Sequence, residues 1–165
     1  LVIPETSSEN RNYIPIGFLE PEDLCSNAVR ILPEATLYHF GILTSSTHMA
    51  WMRTVAGRLK SDYRYSKDIV YNNFPWPPNP TPEQKEKIEQ TARAILAARE
   101  RYPEASLADL YDELTMPPDL RKAHQANDKA VWEAYAKPWH PLSSEPACVA
   151  YLMELYQKIL KYNSL

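Results

Sequence analysis

The stretch NNFPWPPNPTPEQ, Asn72 to Gln84, divides this chain. Pro75, Pro77, Pro78, Pro80 and Pro82 fall within it, out of 15 prolines in all. A run so rich in proline lacks amide donors and is held near φ −65°, so it is neither helix interior nor central strand. Its last residues change character. Thr81-Pro82-Glu83-Gln84 is a capping box with proline at the first helical position. The boundary therefore closes one kind of structure and opens another.

Downstream the apolar residues recur at helical spacing. Ile88, Ala92, Ile95 and Leu96 form one stripe, which must end before Pro103. Ser106 and Asp109 cap a shorter helix carrying Leu107, Leu110, Tyr111 and Leu114. A third helix after Pro118 carries Leu120, Ala123, His124, Val131 and Tyr135. A fourth from about Glu145 carries Val149, Leu152, Met153, Tyr156, Ile159 and Leu160. Four amphipathic helices on short loops predict a bundle. Upstream the reading is mixed. NYIPIGFL and AVRIL are strand candidates, the first confined to an edge by Pro15. ATLYHFGILTS suits a short helix through Leu37, Phe40 and Leu43. STHMAWMRTVAGRLK predicts a helix, with Met49, Met52, Val55, Ala56 and Leu59 on one stripe and Arg53, Thr54 and Arg58 opposite. The expected fold class is α+β: a small mixed α/β segment over 1–78, then a C-terminal helical bundle over 79–165.

Composition narrows the function. The chain has 165 residues, 44% hydrophobic and 24% charged, which suits a folded chain with a real core. No apolar run approaches the length of a membrane-spanning helix, and the opening LVIPETSSEN lacks the basic region of a signal peptide. A start without methionine, directly in strand-like residues, suggests part of a longer protein. Cys25 and Cys148 are isolated, which fits a reducing cytoplasm better than a disulfide framework. His39, His48, His124 and His140 show no ligand spacing, so no metal site is expected. His48 and His124 lie on apolar helical faces and read as core residues. Gly17, Gly41 and Gly57 are the only glycines. Neither a GxGxxG nor a GxxxxGK phosphate loop is possible. WPPNP holds the letters of the Asn-Pro-Pro-aromatic motif of amino-methyltransferases in the wrong order and reads as linker. Glu83 and Lys85 match half of a nuclease motif but sit in a helix's first turn, where acids favour the dipole. Asp109 and Asp112 lie too near a helix end and solvent for acid–base work. No catalytic residues are expected.

Charge is distributed unevenly. Between Ser45 and Pro80, five cations (Arg53, Arg58, Lys60, Arg64, Lys67) face two anions (Asp62, Asp68), within a chain of formal net charge −3. The local excess is what a charged partner meets. In GRLKSDYRYS (Gly57–Ser66), Lys60, Asp62 and Arg64 occupy alternate positions with Ser61, Tyr63 and Tyr65 between them. An extended chain would put the three charges on one face and the tyrosines on the other. A solvated edge with a weak ion pair is the plain reading. Base recognition is the functional one. Lys or Arg donates to guanine O6 and N7, and a carboxylate accepts from cytosine N4. A pure phosphate clamp would not place an acid in its middle. Arg53 and Arg58, on the preceding helix, would then hold DNA backbone phosphates.

HMAWMRTVAGRLKSDYRYSKDIVYNNFPWP resembles the end of the target recognition domain of the MmeI-like DNA methyltransferases, large type II restriction–modification proteins whose relatives include the YeeA-like ones. LVIPETSSENRNYIPIGFL resembles the same domain. LADLYDELTMPPDLRKAHQANDKAVWEAY and CVAYLMELYQKI resemble the helical region that closes those proteins. The resemblance covers nearly the whole chain. It implies a parent that is an S-adenosylmethionine-dependent, adenine-specific DNA methyltransferase, in some members fused to a nuclease, with its catalytic domain before Leu1. The cofactor loop and catalytic motif are absent from this chain, which implies that it holds no cofactor itself. Its expected partners are double-stranded DNA and the parent's N-terminal methyltransferase domain. The rival expectation is a packing module with no DNA contact of its own.

Overall fold

The computed structural model describes residues 1–135 and 144–163. His140 lies outside them. The first half contains β1 (Val2–Pro4), β2 (Thr6–Ser7), β3 (Val29–Ile31), α1 (Leu37–Leu43), α2 (Ser46–Val55), β4 (Gly57–Leu59), β5 (Asp62–Arg64) and a π-helical turn over Lys67–Tyr71. The second half is helical: α3 (Pro82–Glu100), α4 (Leu107–Leu110), α5 (Pro118–Ala134) and α6 (Glu145–Asn163). The mixed α+β class holds, with no strand beyond β5 among the described residues.

The helix starts follow local chemistry. Thr81 N donates to Gln84 Oε1 at 2.9 Å, and Gln84 N donates to Thr81 Oγ1 at 3.2 Å, the reciprocal pair expected at α3. Ser45 caps α2 by accepting from His48 N at 3.3 Å. Ser106 accepts from Asp109 N at 3.2 Å to start α4. α2 ends at Val55 because Ala56 is already extended, at φ −69° and ψ 144°. The helix expected through Lys60 thus stops five residues short of it. Only the Met49 and Met52 part of its stripe is buried; Leu59 leaves the helix for a strand.

Strand pairing is long-range. β1 lies antiparallel to β3, with Ile3 opposite Arg30. β5 is the centre of a three-stranded sheet, with β2 on one side and β4 on the other. AVRIL supplies β3 as expected. NYIPIGFL forms no strand; only Gly17 bridges to Val2. Pro15 withholds the donor a ladder would need, and Ile14 and Ile16 are buried in the core instead.

The helices of the second half pack on one another, as the C-terminal bundle reading expects, with Trp132 of α5 6.0 Å from Tyr151 of α6 between ring centroids, and they also cover the first half. α3 packs along α5 and also against α1, while α6 packs on α2. Trp51 of α2 meets Tyr156 of α6 at 5.7 Å between ring centroids. One apolar cluster runs from Leu1 and Ile3 through Phe40 and Trp51 to Ile88, Val131 and Leu152. Gly41 allows the α1–α3 approach. A Cβ there would lie 2.6 Å from Ile88 Cγ2 and 3.1 Å from Asn127 Oδ1. Asn127 closes the junction, donating to the Gly41 carbonyl at 2.7 Å and accepting from Thr91 Oγ1 at 2.9 Å.

Several polar groups buried in this core are paired across the two halves. Arg99 donates to the Ile16 carbonyl at 2.7 Å and, through Nε, to the Tyr111 hydroxyl at 2.9 Å. That hydroxyl also meets His124 Nε2 at 2.7 Å. Tyr13 stacks on His124 with centroids 4.1 Å apart and donates to Asp128 Oδ2 at 2.8 Å. Ser46 N, at the start of α2, donates to Asp128 Oδ1 at 2.7 Å. Burial raises the Asp128 carboxyl to about 6. Burial, aided by the nearby Arg99 charge, drops His124 well below the usual imidazole range. His124 and His48 are core residues, as their apolar helical faces predict.

Candidate nucleic-acid interface

Residues 57–64 form a hairpin. Leu59 pairs with Asp62, Arg58 with Tyr63 and Gly57 with Arg64, which leaves Lys60 and Ser61 as a two-residue turn. Lys60 sits in the left-handed region at φ 58°, a conformation that glycine usually supplies. Here the structure departs from the sequence reading. Lys60, Asp62 and Arg64 do not share one face of a single extended strand. Lys60 occupies the tip, and only Asp62 and Arg64 alternate along β5. A turn at Lys60 and Ser61 interrupts the alternation.

The tyrosine half of the expectation holds. Tyr63 and Tyr65 are 6% and 2% exposed and anchor the hairpin to the core. Tyr65 N donates to the Glu5 carbonyl at 2.7 Å. The Tyr65 hydroxyl meets His48 Nε2 at 3.0 Å, tying the strand to α2. Burial lowers the His48 imidazole to about 3, so it is neutral at physiological pH. On the opposite, outer face, Leu59 is 55% exposed beside Asp62 and Arg64.

The cations differ in what holds them. Arg64 is fastened to Glu5: its Nε and Nη2 both lie 3.1 Å from Glu5 Oε1. Arg30 of β3 reaches the same oxygen at 3.1 Å. Glu5, Arg30, Arg64, Gly57, Ser66 and Ile69 line a cleft of about 270 Å³ beside the hairpin. Arg58 is not on a helix but in β4, another departure from the sequence reading. Its guanidinium lies 3.9 Å over the Tyr63 ring and donates to the Ser61 carbonyl at 2.6 Å, the Tyr63 hydroxyl at 3.1 Å and Glu9 at 3.3 Å. Arg53 is on α2 as expected, but it points to protein partners. It donates to Glu145 of α6 at 2.5 Å and to the Arg11 carbonyl at 2.9 Å. Lys60 is exposed and, among the described residues, makes no ion pair. Sequence reasoning missed Glu5 and Arg30. Both lie in segments paired to the hairpin region only through contacts distant in sequence, so no local signal marks them.

Among the described residues, no group of three His, Cys, Asp or Glu side chains could hold a metal ion, and no helix is long and apolar enough to cross a membrane. The arrangement offers a protruding, rigidly seated hairpin of mixed charge on a helical scaffold. The sequence model described as the MmeI target recognition domain matches residues 1–78, and that of the MmeI C-terminal domain matches residues 80–162. The chain is therefore a target recognition domain followed by a C-terminal helical domain. It belongs to the MmeI family. A solved structure of the Type IIL restriction–modification enzyme MmeI in complex with DNA is 51% identical, with a TM-score of 0.92, over 97% of this chain and 21% of that one. DNA methyltransferase A of Bacillus subtilis (strain 168) is 41% identical over 159 residues, 96% of this chain and 18% of the relative. The chain thus spans about a fifth of the length of these relatives.

Proposed function

We propose that this chain is the part of a restriction–modification DNA methyltransferase that chooses the sequence to be methylated. The parent would be adenine-specific and S-adenosylmethionine-dependent, cytoplasmic, and would carry its catalytic domain before Leu1. Support for the parent's chemistry comes from the family and from the methyltransferase relative. Support for DNA as partner comes from the MmeI relative in its DNA complex and from the hairpin. The hairpin tip is the observation that carries the reading.

A two-stranded ribbon fits the major groove, which is roughly 12 Å wide. Lys60 at the tip would donate to guanine O6 or N7, and Asp62 at the first paired position would accept from N4 of the partner cytosine. The two signs side by side suit one G·C pair better than a run of phosphates. Arg64, already held by Glu5, would meet a neighbouring base or phosphate. Arg53 and Arg58 were expected to hold phosphates. Their engagement with protein acceptors favours bracing roles instead, Arg53 between α2, α6 and the Arg11 loop.

The test is Lys60→Glu with Asp62→Arg in the full-length protein, with methylated sites mapped genome-wide. The exchange inverts donor and acceptor and should favour C·G at that position, since a matched bidentate contact is worth ~1–3 kcal/mol of discrimination. Unchanged site preference with activity retained would refute the assignment. Salt dependence tests the broader reading: a module that only packs on protein would show no counterion-release slope with duplex DNA.

A further inference from the structure

The geometry points to Arg58 as a positioning residue that sets the turn carrying Lys60 and Asp62, not as a DNA contact. The inference rests on the proposed base-reading role of those two side chains. Lys60 adopts φ 58°, which an L residue with a long side chain does not favour. Strained backbone of this kind persists when surrounding contacts over-determine it, and it concentrates at functional sites. Something must hold the Lys60–Ser61 turn in place.

Arg58 supplies the hold. Its Nη1 donates to the Ser61 carbonyl at 2.6 Å. That carbonyl belongs to the peptide joining Ser61 to Asp62, so the bond fixes the plane from which the Asp62 side chain departs. The guanidinium is itself fixed. It stacks 3.9 Å over the Tyr63 ring, opposite it across the strand pair, and its Nη2 donates to the Tyr63 hydroxyl at 3.1 Å. Tyr63 is 6% exposed and does not move freely. Glu9, from the segment after β2, meets Nη1 at 3.3 Å from the other side. A planar guanidinium can lie flat on the ring while its rigid fork donates in fixed directions; an ammonium offers no planar fork. The chain of contacts thus runs from the core, through Tyr63 and Arg58, to the peptide plane at the reading tip. In this arrangement Nη1 and Nη2 are engaged by the Ser61 carbonyl, Glu9 and the Tyr63 hydroxyl.

The two roles predict different measurements on the full-length protein. Arg58→Lys and Arg58→Ala are compared with wild type, alongside Tyr63→Phe, which keeps the ring and removes one acceptor. Amide hydrogen exchange across residues 59–62 is read without DNA. Binding is read as a salt slope and as the affinity ratio between the cognate duplex and one altered only at the base pair assigned to Lys60 and Asp62. Positioning predicts at least tenfold faster exchange at the turn in both Arg58 variants. It also predicts an unchanged salt slope and roughly a tenfold loss of discrimination at that single base pair. Tyr63→Phe should show the same pattern more weakly. Unchanged exchange at the turn overturns the inference, as does a slope reduced by about one unit with discrimination intact, the signature of a lost phosphate contact. Faster exchange with discrimination intact cuts the link from turn to recognition. The Lys60/Asp62 exchange experiment then tells whether the base-reading assignment itself has failed.

Discussion

His48→Gln should make the chain markedly more resistant to acid. His48 is fully buried on α2, its Nε2 bonded to the Tyr65 hydroxyl at 3.0 Å and its ring 4.4 Å from that of Phe74. Burial lowers its imidazole from 6.5 to about 3 in the folded chain. The unfolded chain therefore binds a proton near pH 6.5 that the folded chain refuses until far lower pH. A group with a depressed folded value contributes stability that is complete above its unfolded pKa. That stability is lost as pH falls toward the folded value. Each pH unit in that window costs about 1.4 kcal/mol. From pH 6.5 to pH 4.5 the loss from His48 alone is roughly 2.3 kcal/mol, a large part of a typical domain's stability of about 5–15 kcal/mol. Glutamine keeps a polar atom within reach of Tyr65 and does not titrate. Its own cost at pH 7 is a constant offset and leaves the slope informative. The assay is urea unfolding at pH 7, 6, 5 and 4.5, followed by tryptophan fluorescence, with free energies compared between the two proteins. The difference between variant and wild type should shift by roughly 2–3 kcal/mol in the variant's favour across that range. Parallel curves would refute the reasoning and mean that the imidazole accepts its proton inside the folded chain at little cost.

Asp128 works in the opposite direction. Its folded pKa is raised from 3.8 to about 6, mainly by burial. Its stabilising contribution is complete below pH 3.8 and declines as pH rises through about 6. Asp128→Asn should therefore compare better with wild type at pH 7.5 than at pH 4.5, by about 2 kcal/mol in the same unfolding assay. Gly41→Ala should destabilise by about 1–3 kcal/mol, because the new methyl meets Ile88 at 2.6 Å and the α1–α3 contact must open. That outweighs the ~1 kcal/mol helix-propensity gain of alanine over glycine, and thermal melting checks the sign. Lys60→Gly should stabilise the free chain by roughly 1 kcal/mol, since glycine accepts the left-handed turn without penalty. The same change should remove G·C discrimination at the assigned position, measured by competition binding with the full-length protein.

The helices were legible in the sequence because their signals are local. The Thr81–Gln84 box, Ser106 with Asp109, and the stripe through Ile88, Ala92 and Ile95 each lie within a few residues of what they specify. The proline run at 75–82 likewise marks a change of backbone that needs no partner. The exposed character of Lys60 and Arg64 and the buried character of Tyr63 and Tyr65 also followed from their types and order. The tertiary structure decided the rest. Alternation of charge is the same in one long strand and in a hairpin whose turn falls between two charges. Only the pairing of β5 with both β2 and β4 settles which is formed. Arg58 reads as a helix-face cation until Ala56 turns extended and Tyr63 lies across from it. Glu5 joins Arg30 and Arg64 although 25 residues separate it from Arg30 and 59 from Arg64. The four C-terminal helices carried the pattern of a bundle, but not that α6 would also lie on α2 or that α3 would meet α1 through Gly41. An apolar stripe specifies that a helix must be covered, and only the shapes and distances of the assembled core determine what covers it.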